Sequence, residues 1–360
     1  MENFIVSARK YRPTTWESVV GQKPITDTLK TAISSNHLAQ AFLFTGPRGV
    51  GKTTTARILA KTINKNDLKE AVSENEDFAF NIFELDAASN NSVDDIRQLI
   101  DQVRIPPQIG SHKVYIIDEV HMLSTAAFNA FLKTLEEPPA HAIFILATTE
   151  KHKVLPTIIS RCQVFDFQRI GISDIVGYLQ FISEKEGIKA EEIALHTIAQ
   201  KADGGMRDAL SLFDQIVSFS GNNITYTHVI DSLNILDFDF YFKVTDHILD
   251  HNPSECLLLF NTVLEKGFDG HNFLIGISSH FRDLLVCSDR HTLVLLETSD
   301  DLRPRYLEQA QKCKKDFLLD ALQLLSDVDF RYKTTKNQRL LIEICLMQLS
   351  SISVMDEKKN

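Results

Sequence analysis

Residues 40–63 read "QAFLFTGPRGVGKTTTARILAKTI": an apolar run, a glycine-rich turn, then a stretch with helical spacing of its apolar residues. Within it, Gly46–Thr53 fits the pattern G-x-x-x-x-G-K-[ST]. No other feature constrains the fold as much. A phosphate loop needs a strand that delivers it and a helix that leaves it, with the helix N-terminus aimed at the anion. Gly46, Gly49 and Gly51 let the backbone N–H groups turn inward around phosphate oxygens, and Pro47, Arg48 and Val50 fill the positions between them. Lys52 is expected to reach the β- and γ-phosphates of ATP. Thr53, followed by Thr54, is expected to offer its hydroxyl to Mg²⁺.

Four further runs, "FNIFELDAAS", "HKVYIIDEVH", "HAIFILATTE" and "RCQVFDF", are short and rich in Ile, Val and Phe. Between them lie the helix-like "VDDIRQLIDQV" and "STAAFNAFLKTLEEPP". Strand–helix alternation of this kind predicts an α/β domain with a parallel sheet covered on both faces. From "GISDIVGYLQFISEKEGI" onward the strand runs stop, and helical pieces are expected at 173–187, 190–202, 205–219 and 226–234. Residues 239–352 read as long amphipathic helices. The expected organisation is a nucleotide-binding domain over 1–170, a small helical lid over 171–236, an all-α domain over 237–352 and a frayed tail at 353–360.

Composition narrows the setting. With 44% hydrophobic residues, the 360-residue chain can bury real cores. Its net charge of -10 argues against wrapping nucleic acid by bulk charge, so any such contact is local or shared with partners. Cys162, Cys256, Cys287, Cys313 and Cys345 are widely spaced and include no C-x-x-C pair, the pattern of reduced thiols in a cytoplasmic protein. The N-terminus shows no apolar core with a cleavage site, and no run approaches the ~18 apolar residues of a membrane span, so no membrane association is expected.

A second group of residues extends the phosphate-loop reading. "VYIIDEVH" ends a buried strand in Asp118-Glu119, where ligands of open α/β sheets bind. Asp118 is expected to hold Mg²⁺ and Glu119 to polarise the attacking water. Alone, such a pair equally serves as a helix cap; its weight comes from the phosphate loop in the same sheet. "ILATTE" ends another strand with Thr148 and Thr149, one of which would touch that water or the γ-phosphate. Arg207 in "GGMRDAL" either reaches nucleotide phosphate or pairs on the surface with Asp203 or Asp208.

"ARKYRPTTWESVVGQ", "GPRGVGKTTTARILAK", "ELDAASN", "VYIIDEVHMLSTAAFNAFLKTLEEPP", "FILATT", "VLPTIISRC" and "GGMRDALS" follow one another in an order that resembles the gamma/tau subunits of bacterial DNA polymerase III, AAA+ clamp-loader ATPases. The likeness is dense over residues 5–235 and weaker beyond. It implies that Ala8, Tyr11, Arg12, Pro13 and Val20 pack over the adenine base. It also implies that Arg161 of "SRC" acts in trans, on nucleotide held by a neighbouring subunit. Cys162 is then a small packed neighbour. The family's four-cysteine zinc module is missing from 62–86, which holds no cysteine or histidine, so no zinc is expected and an acidic loop or helical hairpin would replace it. Asn90, Asn91 and Ser92 stand where many relatives carry basic residues, and they and Lys133 are the expected DNA-facing positions.

The resemblance further implies a collar at 239–352 that holds subunits in a ring-like hetero-oligomer. Sliding clamp and primed DNA would be partners, and the polymerase core would be reached through a C-terminal extension not present in these 360 residues. The expected activity is ATP hydrolysis within the DNA-directed DNA polymerase III holoenzyme, used to load the clamp during DNA replication. A branched-DNA ring helicase shares the phosphate loop but would end in a basic winged-helix domain. A non-hydrolysing structural subunit would not need Lys52, Thr53, Asp118 and Glu119 together.

Overall fold

Alternating apolar runs and amphipathic stretches resolve into a parallel sheet between two helical layers. The computed structural model describes residues 5–35, 37–67, 80–296, 298 and 302–357. The chain divides into two compact units, Met1–Gly187 with Ile198–Asp214, and Ile188–Thr197 with Gln215–Asn360. In chain order the first part gives α1 (Ser7–Lys10), α2 (Lys23–Ser34), β1 (Ala41–Thr45), α3 (Lys52–Asp67), β2 (Ile82–Asp86), α4 (Val93–Val103) and β3 (Lys113–Asp118). It continues with α5 (Thr125–Glu136), β4 (Ala142–Thr148), α6 (Pro156–Ile159), β5 (Gln163–Asp166) and α7 (Ile172–Glu186). The five strands are all parallel in the order β2-β3-β4-β1-β5, so β1, which delivers the phosphate loop, is an inner strand.

Burial on both faces explains why the inner strands β1, β3 and β4 are apolar almost throughout, whereas the edge strands β2 and β5 are only partly buried and carry polar residues. On one face, Phe42 and Phe44 of β1, Val114 and Ile116 of β3, and Ile143 and Ile145 of β4 join Leu29, Ala56 and Leu59 from α2 and α3. On the other, Leu43, Tyr115, Ile117, Phe144 and Leu146 join Ile96, Leu99, Phe128 and Phe131 from α4 and α5. Phe42 and Phe44 are fully buried, each worth ~1.5–3 kcal/mol of transfer free energy. α4 starts where a capping box forms, with Ser92 accepting from Asp95 N–H and the Asp95 carboxylate accepting from Ser92 N–H.

The chain continues with β6 (Lys189–Ala190), α8 (Glu192–Lys201), α9 (Met206–Ser220), β7 (Asn223–Ile224) and α10 (Tyr226–Leu233). Strand structure therefore does not stop at residue 170: β6 and β7 pair in parallel as a two-stranded sheet. Next come α11 (Phe238–Leu249), α12 (Pro253–Glu265), α13 (Gly270–Cys287), α14 (Arg303–Lys312), α15 (Lys315–Tyr332) and α16 (Gln338–Glu357). These helices bury one core around Phe260, Phe273, Ile277, Phe281, Phe317, Leu325 and Leu349. α16 continues as helix through 353–357, where a frayed tail was expected. Residues 68–79, the middle of the 62–86 segment expected to replace a zinc module, lie outside the described residues. The five cysteines are free thiols. No helix among the described residues is long and apolar enough to cross a membrane.

Candidate functional site

The turn between β1 and α3 has the backbone of an anion cradle. Gly46 has φ 137°, and a Cβ there would run into the Phe167 carbonyl oxygen. Gly49, at φ 78°, lies against the start of α9: a Cβ on it would sit 3.2 Å from Gly205 Cα and 3.5 Å from Arg207 Cβ. Only glycine fits both demands. α3 begins at Lys52, so its first N–H groups face the turn. Lys52 is 6% exposed, and its Nζ donates to the Gly46 and Pro47 carbonyls, both at 2.7 Å. Burial holds its ammonium below the ordinary lysine pKa, while the Glu119 and Asp118 carboxylates pull it back up. A phosphate delivered to the loop would add a further anion beside this buried cation.

The acidic pair is assembled at the C-terminal end of β3. Thr53 Oγ1 donates to Asp118 Oδ2 at 2.6 Å, joining the first turn of α3 to that strand end. Asp118 Oδ1 accepts the Glu119 N–H at 3.0 Å, which supports a left-handed backbone at Glu119, φ 47°. The Glu119 carboxylate is held in turn by Thr149, from its N–H at 3.2 Å and its hydroxyl at 3.0 Å. Of the two threonines, Thr149 meets the acid and Thr148 meets His121, whose Nδ1 is 3.0 Å from Thr148 Oγ1 and 3.3 Å from Glu119 Oε2. Sequence reasoning missed His121; its place two residues after the acid was the available signal.

A cavity of about 440 Å³ opens over the turn. Ala8, Tyr11, Arg12, Pro13 and Val20 line one part of it, and Arg48, Gly49, Val50, Gly51, Lys52, Thr53 and Thr54 another, with Asp118, Glu119 and Arg207 completing the polar wall. Gly46, Pro47, Thr149 and Arg161 are not among the lining residues. Tyr178 of α7 also lines it, and its hydroxyl donates to the Tyr11 carbonyl at 2.8 Å. Nothing in its helical spacing announced that. Tyr11 itself donates to Glu186, and burial with that carboxylate pushes its pKa up to about 12. Ser7 ties the segment down through Asp214, its N–H donating at 2.7 Å. Arg207 N–H points to the Gly49 carbonyl at 3.4 Å, and Asp203 pairs with Arg169, not with Arg207.

Arg161 lies just beyond α6, away from this cavity. Its Nη1 donates to the Thr157 carbonyl at 2.7 Å and its Nη2 to Glu136 Oε1 at 2.6 Å. Cys162 next to it is half-buried, and burial pushes its thiol up to about 11, which disfavours the nucleophilic thiolate at neutral pH. Among the expected DNA-facing residues, Lys133 is exposed on α5. Asn90 bonds its own turn through the Asp86 carbonyl at 3.0 Å. Ser92 is committed to capping α4, donating to Asp95 Oδ2 at 2.6 Å in a first turn that also holds Asp94.

Two family profiles match the chain, one described as the DNA polymerase III delta subunit over residues 21–171, the other as the DNA polymerase III clamp loader subunit ATPase lid domain over 174–222. The chain is 40% identical over 354 residues to DNA polymerase III subunit tau of Bacillus subtilis, covering 96% of this chain and 63% of that protein. It is 33% identical over 359 residues to DNA polymerase III subunit gamma of Buchnera aphidicola from Acyrthosiphon pisum, covering 97% and 99%. The chain thus spans less than two thirds of the tau relative's length. Among solved structures, a variant of Thermotoga maritima RuvB superposes with a TM-score of 0.50 at 19% identity, covering 72% of this chain and 86% of that one, a likeness of fold alone.

Proposed function

We infer function from family and site together: the chain belongs to the gamma/tau subunits of bacterial DNA polymerase III, and its first unit carries the AAA+ α/β fold. The proposed activity is ATP hydrolysis that drives loading of a sliding clamp onto primed DNA, within a hetero-oligomer of clamp-loader subunits. One observation carries the reading. Lys52, the Thr53–Asp118 pair and Glu119 converge on a single cavity bordered by a glycine-rich turn, in which a Cβ on Gly46 would strike the Phe167 carbonyl oxygen.

The residues present fit both ATP and Mg²⁺. The turn over residues 46–51 and Lys52 would hold the phosphates, and the apolar wall from Pro13 and Val20 would cover the base. Thr53 and Asp118, already 2.6 Å apart, would hold Mg²⁺. When bound, that ion neutralises charge on the β- and γ-oxygens. Glu119 would accept the proton of the attacking water, a role that requires its carboxylate to leave Thr149 or to share it. Arg207 would contact the phosphates from the start of α9. Arg161 would act on a neighbour's nucleotide, stabilising charge on the transferring phosphoryl group. Lys133 and Asn90 are the favoured DNA contacts; Ser92, bonded to Asp95 as the cap of α4 with Asp94 beside it, is the weaker one.

The test is ATPase turnover of the chain assembled with its partner subunits, with and without clamp and primed DNA. Turnover stimulated by both is expected. Stimulation by four-way DNA junctions alone would favour a branched-DNA helicase, and no turnover in any assembly would favour a structural subunit.

A further inference from the structure

We propose that Glu136 is the resting partner of Arg161, holding the arginine on its own subunit until a phosphate in the neighbouring site displaces the carboxylate. The inference rests on the reading of Arg161 as an arginine that acts across an interface.

Glu136 is the last residue of α5 and Arg161 lies one position past the C-cap of α6; the two are brought together only by the fold. A carboxylate at a helix C-terminus faces the negative end of the peptide dipole and is poorly placed without a cation. Arg161 supplies that cation at 2.6 Å and fixes itself further by donating to the Thr157 carbonyl at 2.7 Å. The guanidinium is therefore not a free arm but has a defined position.

That position suits rest, not catalysis. A carboxylate left on the guanidinium would lie beside the charge developing on the transferring phosphate and repel it. The pair must open for Arg161 to engage, and its exposure makes opening inexpensive: the side chains are 34% and 47% exposed, for Arg161 and Glu136 respectively. An exposed ion pair of this kind shifts an equilibrium by no more than about fivefold. A phosphate offers the same fork a more highly charged, bidentate acceptor and wins the exchange. Glu136 thereby sets how often Arg161 strays toward the neighbour when clamp and DNA are absent.

The test is Glu136→Gln in assembled complexes. The substitution keeps shape and an acceptor oxygen while removing the charge. Unstimulated turnover is expected to rise up to about fivefold with KM for ATP unchanged. Placed in Lys52→Ala subunits, whose own site is dead, Glu136→Gln is still expected to raise turnover at adjacent intact sites. In an Arg161→Ala background it is expected to do nothing. Unchanged or lowered turnover, or an equal effect with and without Arg161, would overturn the resting contact while leaving the arginine's role intact. If Arg161→Ala alone leaves stimulated turnover untouched, the trans reading fails and the role of Glu136 falls with it.

Discussion

Alanine at Gly46 is expected to damage the protein more than alanine at Gly51, although both glycines hold backbone angles that other residues avoid, φ 137° and 102°. At either position the backbone strain is ~1–3 kcal/mol. A Cβ on Gly51 meets nothing within 4 Å, whereas one on Gly46 strikes the Phe167 carbonyl oxygen and lies 3.0 Å from Phe167 Cβ. Phe167 has little room to yield: its N–H donates to Thr45 O at 2.7 Å, and its ring packs 5.2 Å from that of Phe44. Overpacking therefore adds ~1–3 kcal/mol at Gly46 alone. In a unit of this size each kcal/mol moves the melting midpoint by ~2–4 °C. Thermal unfolding of the nucleotide-free variants is the assay, because a bound ligand would add its own contacts at Gly51. Gly46→Ala is predicted to melt several degrees below Gly51→Ala. Equal midpoints, or the reverse order, would refute the steric account of the turn.

Lys52→Ala is expected to abolish or severely weaken ATP binding measured by calorimetry, since it removes the one buried cation at the turn; retained affinity would sink the phosphate-loop assignment. Glu119→Gln is expected to bind ATP and stall, which single-turnover measurements separate from a binding defect. In the second unit, burial pushes the His280 pKa down to about 4, although the Gln309 and Asp246 oxygens pull the other way. The folded state then favours the neutral ring. Between the ordinary histidine value of ~6.5 and the depressed one, the unfolded chain binds a proton that the folded chain does not, so stability falls on acidification by up to ~3 kcal/mol. Denaturant midpoints from neutral to mildly acidic pH are expected to fall more steeply for the native chain than for His280→Gln, and parallel curves would contradict this.

What could be read from sequence was what repeats locally. α4 occupies 93–103 as its pattern indicated, because Ser92 and Asp95 form a capping box and Ile96, Leu99 and Val103 share one buried face. The phosphate loop was legible because glycine, lysine and threonine must fall at fixed spacing. α2 was not. Gln22 gives it no side-chain cap, and Thr26, Thr28 and Thr31 bond back to their own helix, which hides a helical face carrying Ile25, Leu29 and Ile33. The two-residue strands β6 and β7 carry too little pattern to be seen without their partner. In the site, Lys52, Thr53, Asp118 and Glu119 came from motifs. The pairings Glu119 with Thr149 and Arg161 with Glu136 span 30 and 25 residues and exist only through the fold.

In the proposed function, nucleotide chemistry in this chain moves a ring onto DNA. Its most direct test follows a labelled sliding clamp onto primed circular DNA in the presence of the assembled subunits, with linearisation of the circle to release threaded clamp. ATP is predicted to yield clamp that stays with circular DNA and is lost on linearisation, and assemblies carrying Lys52→Ala are predicted to yield none. Clamp retained equally without ATP, or never retained while ATP is hydrolysed, would contradict the account.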